Sequence, residues 1–509
     1  MSNKTIKNSF FSLVYQITTL FFALVIRKVF LIAFGVEYLG IINTFTSLIG
    51  ALSLAELGFE TSFLYRLYKP LVEGNTKLIS KIMNLFRTIY SKIAIAIGVI
   101  VCIFSIFLRV IYKDVSFTVE IYIWYFLLGL DAVLSYLMAY KRTLLFADQK
   151  DFWAKRIDLG AIIVCSIARI VFLLLIKSVP LYIFVQIIQT VGSNLLVSIV
   201  CKKNYSFIKK DPIDKALLKE ILSDVKNVFA SRISYFVNTT SDVLLTSVLV
   251  GTATVGFFTN YSTIINALKR IIVSIIKPVS PFIGTLLADK SKSQEDKRKM
   301  LNTYMMISFY ICMILLIPAV CLIDDFMDIL YGTQFRLSSS ISLFMCLNVF
   351  FVIMQRGTAD FVNGAGLFKI DKYIEIFGAL INIIFSILLG IRYELLGILI
   401  GTFISNIFFI LGRGYIVYKS CLKCDFKNIF EYTVMNLFYV LLYIGSSYLV
   451  RFLNHFIHFK IKIVDFLCKG IINVFIAIVI CFVSTIFFPF TKELLVEIKY
   501  KLIRRGKQT

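Results

Sequence analysis

Charge is scarce in this chain: 17% of its 509 residues are Asp, Glu, Lys or Arg, against 59% that are apolar. A string of soluble domains is excluded, because water-facing surface must be covered by polar groups and a mean hydropathy of +0.86 leaves too few. Histidine is scarcer still. His455 and His458 are the only two, close together in a short stretch that reads as a solvated loop rather than a metal site. The ten cysteines yield one CxxC, Cys421 with Cys424, lacking a second pair or a nearby histidine, and two ligands do not make a tetrahedral zinc site. No GxxxxGK[ST] phosphate loop occurs, so ATP is not implied. Nor is there a large polar segment or a catalytic constellation of the kind a membrane polymerase or glycosyltransferase needs. The expectation is a non-enzyme with no cofactor and no metal.

What the chain has in abundance is apolar run after apolar run, each near the ~20 residues that a helix needs to cross a bilayer. Fourteen spans are expected, at 10–34, 39–63, 88–108, 118–139, 155–176, 180–200, 228–250, 256–276, 303–323, 339–361, 373–390, 395–416, 431–451 and 469–489. The first follows Lys4 and Lys7 as a signal peptide would. It is too long for one and has no small-residue cleavage site, so a retained helix is expected. The reading is an all-α polytopic membrane protein.

A net charge of +24 raises the question of nucleic acid, and its distribution answers it. With the N-terminus inside, 34 of the 54 lysines and arginines fall in cytoplasmic segments and 7 in external ones, the rest lying within the spans. This is the positive-inside pattern, which puts both termini in the cytoplasm. Nucleic-acid binding would need a basic surface on a folded domain, and no such domain is present. Two amphipathic stretches are expected at the membrane surface. One follows Asp211-Pro212 and aligns Leu217, Leu218, Ile221, Leu222 and Val225; the other aligns Leu494, Leu495, Ile498 and Leu502 opposite Lys492, Lys499, Lys501, Arg504 and Arg505. The basic face of the second suits anionic lipid headgroups.

The hexamer GVEYLG at 35–40 returns as GTATVG at 251–256, and a shift of 216 residues also superposes Ile49 on Ile265 and Ala51-Leu52 on Ala267-Leu268. The shift maps spans 1 and 2 onto spans 7 and 8 with an even number of spans between, so the halves share one orientation. Such repeats place substrate between halves that rock for alternating access. The expected organisation is an N-lobe at 1–209, a C-lobe at 210–420, and a segment at 421–509 carrying spans 13 and 14 and the basic tail.

An ionisable residue inside a span costs at least ~2.5–3.5 kcal/mol at the helix centre, which makes each a functional candidate. Arg27 and Lys28 lie in span 1, Asp131 in span 4, Arg169 in span 5 and Asp242 in span 7; Glu56, Arg232, Arg356 and Asp360 lie nearer the cytoplasmic ends of their helices. Arg169 has the alternative of a structural pair with Asp131, and Arg232 and Asp360 that of snorkelling to water. The repeat register sets Asp242 opposite position 26, beside the Arg27–Lys28 pair. Arg27, Lys28, Arg169, Arg232 and Arg356 outnumber the fully embedded acids. Cations among apolar helices suit a phosphate or pyrophosphate, with Arg offering two parallel hydrogen bonds. Asp131, Asp242, Glu56 and Asp360 are the candidates for charge pairing or ion coupling.

The stretch YLGIINTFTSLIGALSLAELGFETSFLYRLYKPLVEGNTKLISKIMNLFRTIYSK, at 38–92, resembles the bacterial polysaccharide flippases. These are the Wzx-type members of the multidrug/oligosaccharidyl-lipid/polysaccharide exporter superfamily. LSLAELGFETSFLYRLYKPL (52–71) is the most specific part, and KRTLLFADQKDF (141–152) and VGTATVGFFTNY (250–261) also fit. The resemblance implies a V-shaped bundle of two six-helix lobes with extra C-terminal helices. It implies that an undecaprenyl-pyrophosphate-linked oligosaccharide is turned from the inner to the outer leaflet of the bacterial cytoplasmic membrane, for capsule, O-antigen or exopolysaccharide. A polysaccharide polymerase and other assembly components are the partners it suggests, beside the lipid-linked substrate and membrane lipids. Arg27 matches the family's cation in span 1. The coupling ion would be H+ or Na+. A peptidoglycan-precursor or teichoic-acid flippase uses the same chemistry, and a multidrug/cation antiporter shares the fold but needs the opposite charge balance.

Overall fold

A computed structural model describes residues 3–52, 59–111, 118–148, 150–209, 218–222, 225, 237, 240–276, 283, 286–287, 291 and 293–487. Glu56, Arg232, Asp211-Pro212 and the basic C-terminal tail lie outside the described residues. The chain is all-α. The helices are α1 (Asn3–Phe34), α2 (Val36–Leu52), α3 (Phe59–Glu73), α4 (Thr76–Ile111), α5 (Val119–Ala147), α6 (Asp151–Leu175) and α7 (Val179–Asn204), then α8 (Thr240–Leu249) and α9 (Thr252–Ile276). They continue with α10 (Gln294–Leu330), α11 (Ser339–Met354), α12 (Arg356–Gly364), α13 (Phe368–Ile416), α14 (Phe426–Asn454) and α15 (Lys462–Phe487).

Ten of the described helical segments are long and apolar enough to cross a membrane. The difference from fourteen has local causes. Spans 11 and 12 are the two arms of α13, one continuous helical stretch broken where Glu394 turns to φ 52°. Span 2 is carried by α2 and α3, of 17 and 15 residues, either side of undescribed residues 53–58. Only residues 240–249 of span 7 form α8 as described, and α9 carries Thr, Asn and Ser through its first half.

The chain divides into two compact units, residues 1–259 and 260–509. In the first, α1 packs along α6, and α5 packs on both α4 and α7. Phe30 of α1 meets Tyr182 of α7 edge-on at 5.5 Å, and buried Tyr125 of α5 donates its hydroxyl to the Val101 carbonyl of α4 at 3.1 Å. Both hexamers open with a glycine that breaks a helix: Gly35 has φ 85° between α1 and α2, and Gly251 has φ 130° between α8 and α9. These are backbone conformations that side chains disfavour. Lys177, in the α6–α7 turn, and Glu394, between the arms of α13, also have positive φ, 50° and 52°, and stand one residue off the 216-residue register.

In the second unit the arms of α13 form an antiparallel hairpin that small residues let close. A Cβ on Gly397 would overlap the Leu389 carbonyl, and one on Gly401 would overlap Ser386. Ser405 donates to the Gly378 carbonyl at 2.8 Å and Asn382 to Thr402 at 3.0 Å, the polar-glue pattern of helices in apolar surroundings. α14 lays Tyr439 on Phe309 of α10 (4.3 Å) and Tyr443 on Phe350 of α11 (4.8 Å), both stacked. α15 runs antiparallel to α10, with Phe466 against Phe326 at 5.6 Å and Gly470 beside Leu322.

Candidate functional site

The sequence-derived candidates fall in both units. In the first, Arg27 is half-buried on α1 and its neighbour Lys28 is exposed, as expected for adjacent residues pointing about 100° apart. Asp242 is half-buried on α8.

Asp131 and Arg169 are held by separate glutamines of α7. Gln186 Nε2 donates to Asp131 Oδ2 at 2.9 Å, and Arg169 Nη2 donates to Gln189 Oε1 at 2.7 Å while its guanidinium lies over Tyr182. The glutamines are one turn apart on one face of α7. Each charge keeps a spare valence: Asp131 Oδ1 and Arg169 Nε are buried with no hydrogen-bond partner among the described residues. An acceptor and a donor in apolar surroundings, each half satisfied, form a place where a polar ligand recovers hydrogen bonds that the protein leaves open.

In the second unit, Asp360 is 7% exposed and accepts from Tyr304 Oη at 2.9 Å. Arg356 acts on the same tyrosine, and Lys269 of α9 lies within electrostatic reach of Arg356. Arg356 Nε is buried and unpartnered among the described residues. Two cations, one acid and a phenol thus converge from α9, α10 and α12. Lys269, seven residues short of the end of α9, is an embedded charge of span 8 that the rule applied to the other spans could have found, whereas a tyrosine in a tyrosine-rich chain carries no signal.

Other embedded charges are structural. Arg142 of α5 grips Asp158 of α6 through two 2.8 Å bonds and donates to Asn194 (2.7 Å) and Ser193 (3.1 Å) of α7. In the second unit Arg413, on the second arm of α13, grips Asp371 on the first arm at 2.8 and 3.0 Å and Glu375 at 2.8 Å. It reaches Gln355 at 3.4 Å, and from there a file of amides runs into the bundle, Gln355 to Asn406 to Asn348 to the Leu399 carbonyl. Both knots tie the corresponding three spans, 4 with 5 and 6 and 10 with 11 and 12. These residues lie toward helix ends, so they read in the sequence as interface charge.

Among the described residues no group of three or more His, Cys, Asp and Glu is placed to hold a metal.

No known family profile matches the sequence, and no curated protein does. Solved structures show the fold. The lipid II flippase MurJ, in an inward closed conformation, matches with a TM-score of 0.68 at 16% identity, over 96% of this chain and 100% of its own. An inward-facing multidrug resistance MATE family transporter of the MOP superfamily matches with a TM-score of 0.61 at 15% identity, over 80% of this chain and 95% of its own. The MATE transporter VcmN of Vibrio cholerae matches with a TM-score of 0.56 at 12% identity, over 82% and 97%. The chain has the fold that these transporters share.

Proposed function

We propose that this protein is a flippase that moves an undecaprenyl-pyrophosphate-linked oligosaccharide repeat unit from the inner to the outer leaflet of a bacterial cytoplasmic membrane, for surface polysaccharide. The observation that carries this is the extent of the fold match. The flippase MurJ covers 96% of the chain and the multidrug transporter 80%, a difference of about 80 residues. That is the size of the segment bearing α14 and α15. The charge balance supports it: Arg27, Lys28, Arg169, Lys269 and Arg356 against Asp131, Asp242 and Asp360 suits an anionic headgroup and opposes a cationic drug.

The physical task is to spare a sugar diphosphate the loss of its water while its lipid tail stays in hydrocarbon. The half-satisfied guanidiniums of Arg169 and Arg356 offer donors for phosphate oxygens, and Asp131 Oδ1 offers an acceptor for sugar hydroxyls. In this reading lobes 1–209 and 210–420 alternate around the headgroup with both termini in the cytoplasm. The drive is an ion gradient or the membrane potential, worth ~2.3 kcal/mol per charge per 100 mV. Asp131 and Asp242 are the candidate carriers of the coupling ion.

The test is flipping in proteoliposomes loaded with lipid-linked repeat unit, read by lectin capture of outer-leaflet sugar with and without an imposed pH or sodium gradient. Gradient-dependent exposure of the sugar is expected; none with any lipid-linked saccharide overturns the reading. The fold match to a lipid II flippase favours a second reading, the peptidoglycan precursor as substrate. Transport of lipid II in preference to the repeat unit would select it.

A further inference from the structure

The first unit contains a concavity of about 480 Å³ among α4, α5, α7 and the segment 205–209 that follows α7. Four cations line it, Arg87 from α4, Lys141 from α5, Lys202 from α7 and Lys209 from the following segment. They come from four separate stretches of chain, so their meeting is a property of the fold. None forms an ion pair with a carboxylate among the described residues. The acid nearest in sequence to this end of α5, Asp148, is already engaged by Lys150 (2.7 Å) and by the Tyr205 hydroxyl (2.7 Å).

The basin is built rigidly. Ser80 Oγ donates to the Lys209 carbonyl and accepts from its N–H, both at 3.1 Å, and Asn84 donates to the same carbonyl. The Cys201 thiol donates to the Lys141 carbonyl at 3.4 Å, tying α7 to α5. One wall is apolar and open. Leu195 and Ile199 of α7, one turn apart, both line the basin and are 48% and 64% exposed. Ile188, 50% exposed, lies seven residues back and continues this stripe along the helix.

Four like charges in one concavity repel unless an anion joins them, and the open apolar wall says which kind of anion. We infer that this basin binds an anionic phospholipid, its phosphate among Arg87, Lys141, Lys202 and Lys209 and an acyl chain along Leu195, Ile199 and Ile188. A basic pocket between helices at the cytoplasmic membrane surface is the physical setting for such recognition. The orientation proposed above puts the basin on that face. It lies within the first unit and contains none of the residues assigned to the transported substrate, so it is a separate lipid site.

Native mass spectrometry of the full chain in detergent tests this, titrating phosphatidylglycerol, phosphatidylcholine with the same chains, and inorganic phosphate. Wild type binds phosphatidylglycerol at least about tenfold more tightly than phosphatidylcholine, given roughly 1 kcal/mol per basic residue near a membrane surface. The variant Arg87→Gln/Lys141→Gln/Lys202→Gln/Lys209→Gln loses that preference. The variant Lys297→Gln/Lys299→Gln/Lys372→Gln/Lys423→Gln, with equal charge removed from the second unit, keeps it. Should the first variant fail to fold, Arg87→Gln/Lys202→Gln alters only exposed side chains and lowers the preference several-fold. Equal loss in both four-site variants, no preference in wild type, or displacement of the lipid by equimolar inorganic phosphate overturns the inference, the last in favour of a free-anion site. Flipping is not read in this experiment, so its outcome is independent of the transport reading.

Discussion

Asn43 and Thr259 are hydrogen-bonded to each other, Nδ2 to Oγ1 at 2.9 Å, and they are separated by 216 residues, the period of the repeat. Each residue therefore meets its own counterpart. The same is true of the hexamers: a Cβ on Gly40 would overlap the carbonyl of Thr252, and one on Gly256 would lie 2.6 Å from the carbonyl of Val36. Val36 and Thr252 are repeat equivalents, so the contact is reciprocal. An element touches its own mate only on a local twofold axis, and here that axis passes between the starts of α2 and α9.

Valine at Gly40 or Gly256 forces these helices apart. Each substitution is expected to destabilise by about 1–3 kcal/mol or more, the usual range for overpacking. Gly160→Ala, where an added methyl group meets only open space, serves as control and leaves stability nearly unchanged. Thermal unfolding followed by size-exclusion fluorescence measures both.

Reporter tags check the membrane orientation. Tags at Lys150, Tyr205, Lys292 and Cys424 should report the cytoplasm, and tags at Val115, Gly332 and His458 the outside. Opposite faces for positions 205 and 292 would contradict both the fourteen spans and the parallel repeat.

Replacing Arg27 with alanine should abolish surface polysaccharide at an unchanged level of protein in the membrane. Arg27→Lys should retain part of the activity, since the charge survives while the two-pronged donor geometry is lost. Normal polysaccharide from the alanine variant, at normal expression, removes Arg27 from the mechanism.

Asp242→Asn should leave binding of the lipid-linked substrate intact and weaken the dependence of flipping on an imposed ion gradient. It removes an embedded charge without changing side-chain volume. A response to the gradient equal to that of wild type in proteoliposomes passes the coupling role to Asp131.

Arg413 is 12% exposed and balanced by two carboxylates. Removing it as Arg413→Ala strands both acids and should cost about 3–5 kcal/mol, the range for one partner taken from a buried pair. Adding Asp371→Asn and Glu375→Gln in the same chain should recover a large part of the loss. Unfolding temperatures of the single and triple variants decide it.

Much of the fold is written in the sequence at the level of hydrophobic runs, because a bilayer demands ~20 apolar residues per helix and tolerates little else. The hexamers exposed the repeat because glycine was required twice, at φ values that side chains disfavour. The positive-φ turns at Lys177 and Glu394 stayed hidden, since they are filled by charged residues with no common letter. The embedded charges were visible one at a time and their partners were not. Arg169 and Asp131 invited pairing by opposite sign, whereas each is held by a neutral glutamine of α7. Amides carry no charge to announce themselves, and which helix face meets which neighbour is decided by packing far along the chain.

The two arginine knots have a consequence for exchanging parts between the halves. The guanidinium comes from span 4 in the first half (Arg142) and from span 12 in the second (Arg413), while the acids stay on spans 5 and 11. A chimera that trades span 6 for span 12 alone would put two guanidiniums at one junction and none at the other. Grafts that carry three consecutive spans together bring a matched set. Within each half, then, the smallest transplantable module is the trio, not the helix.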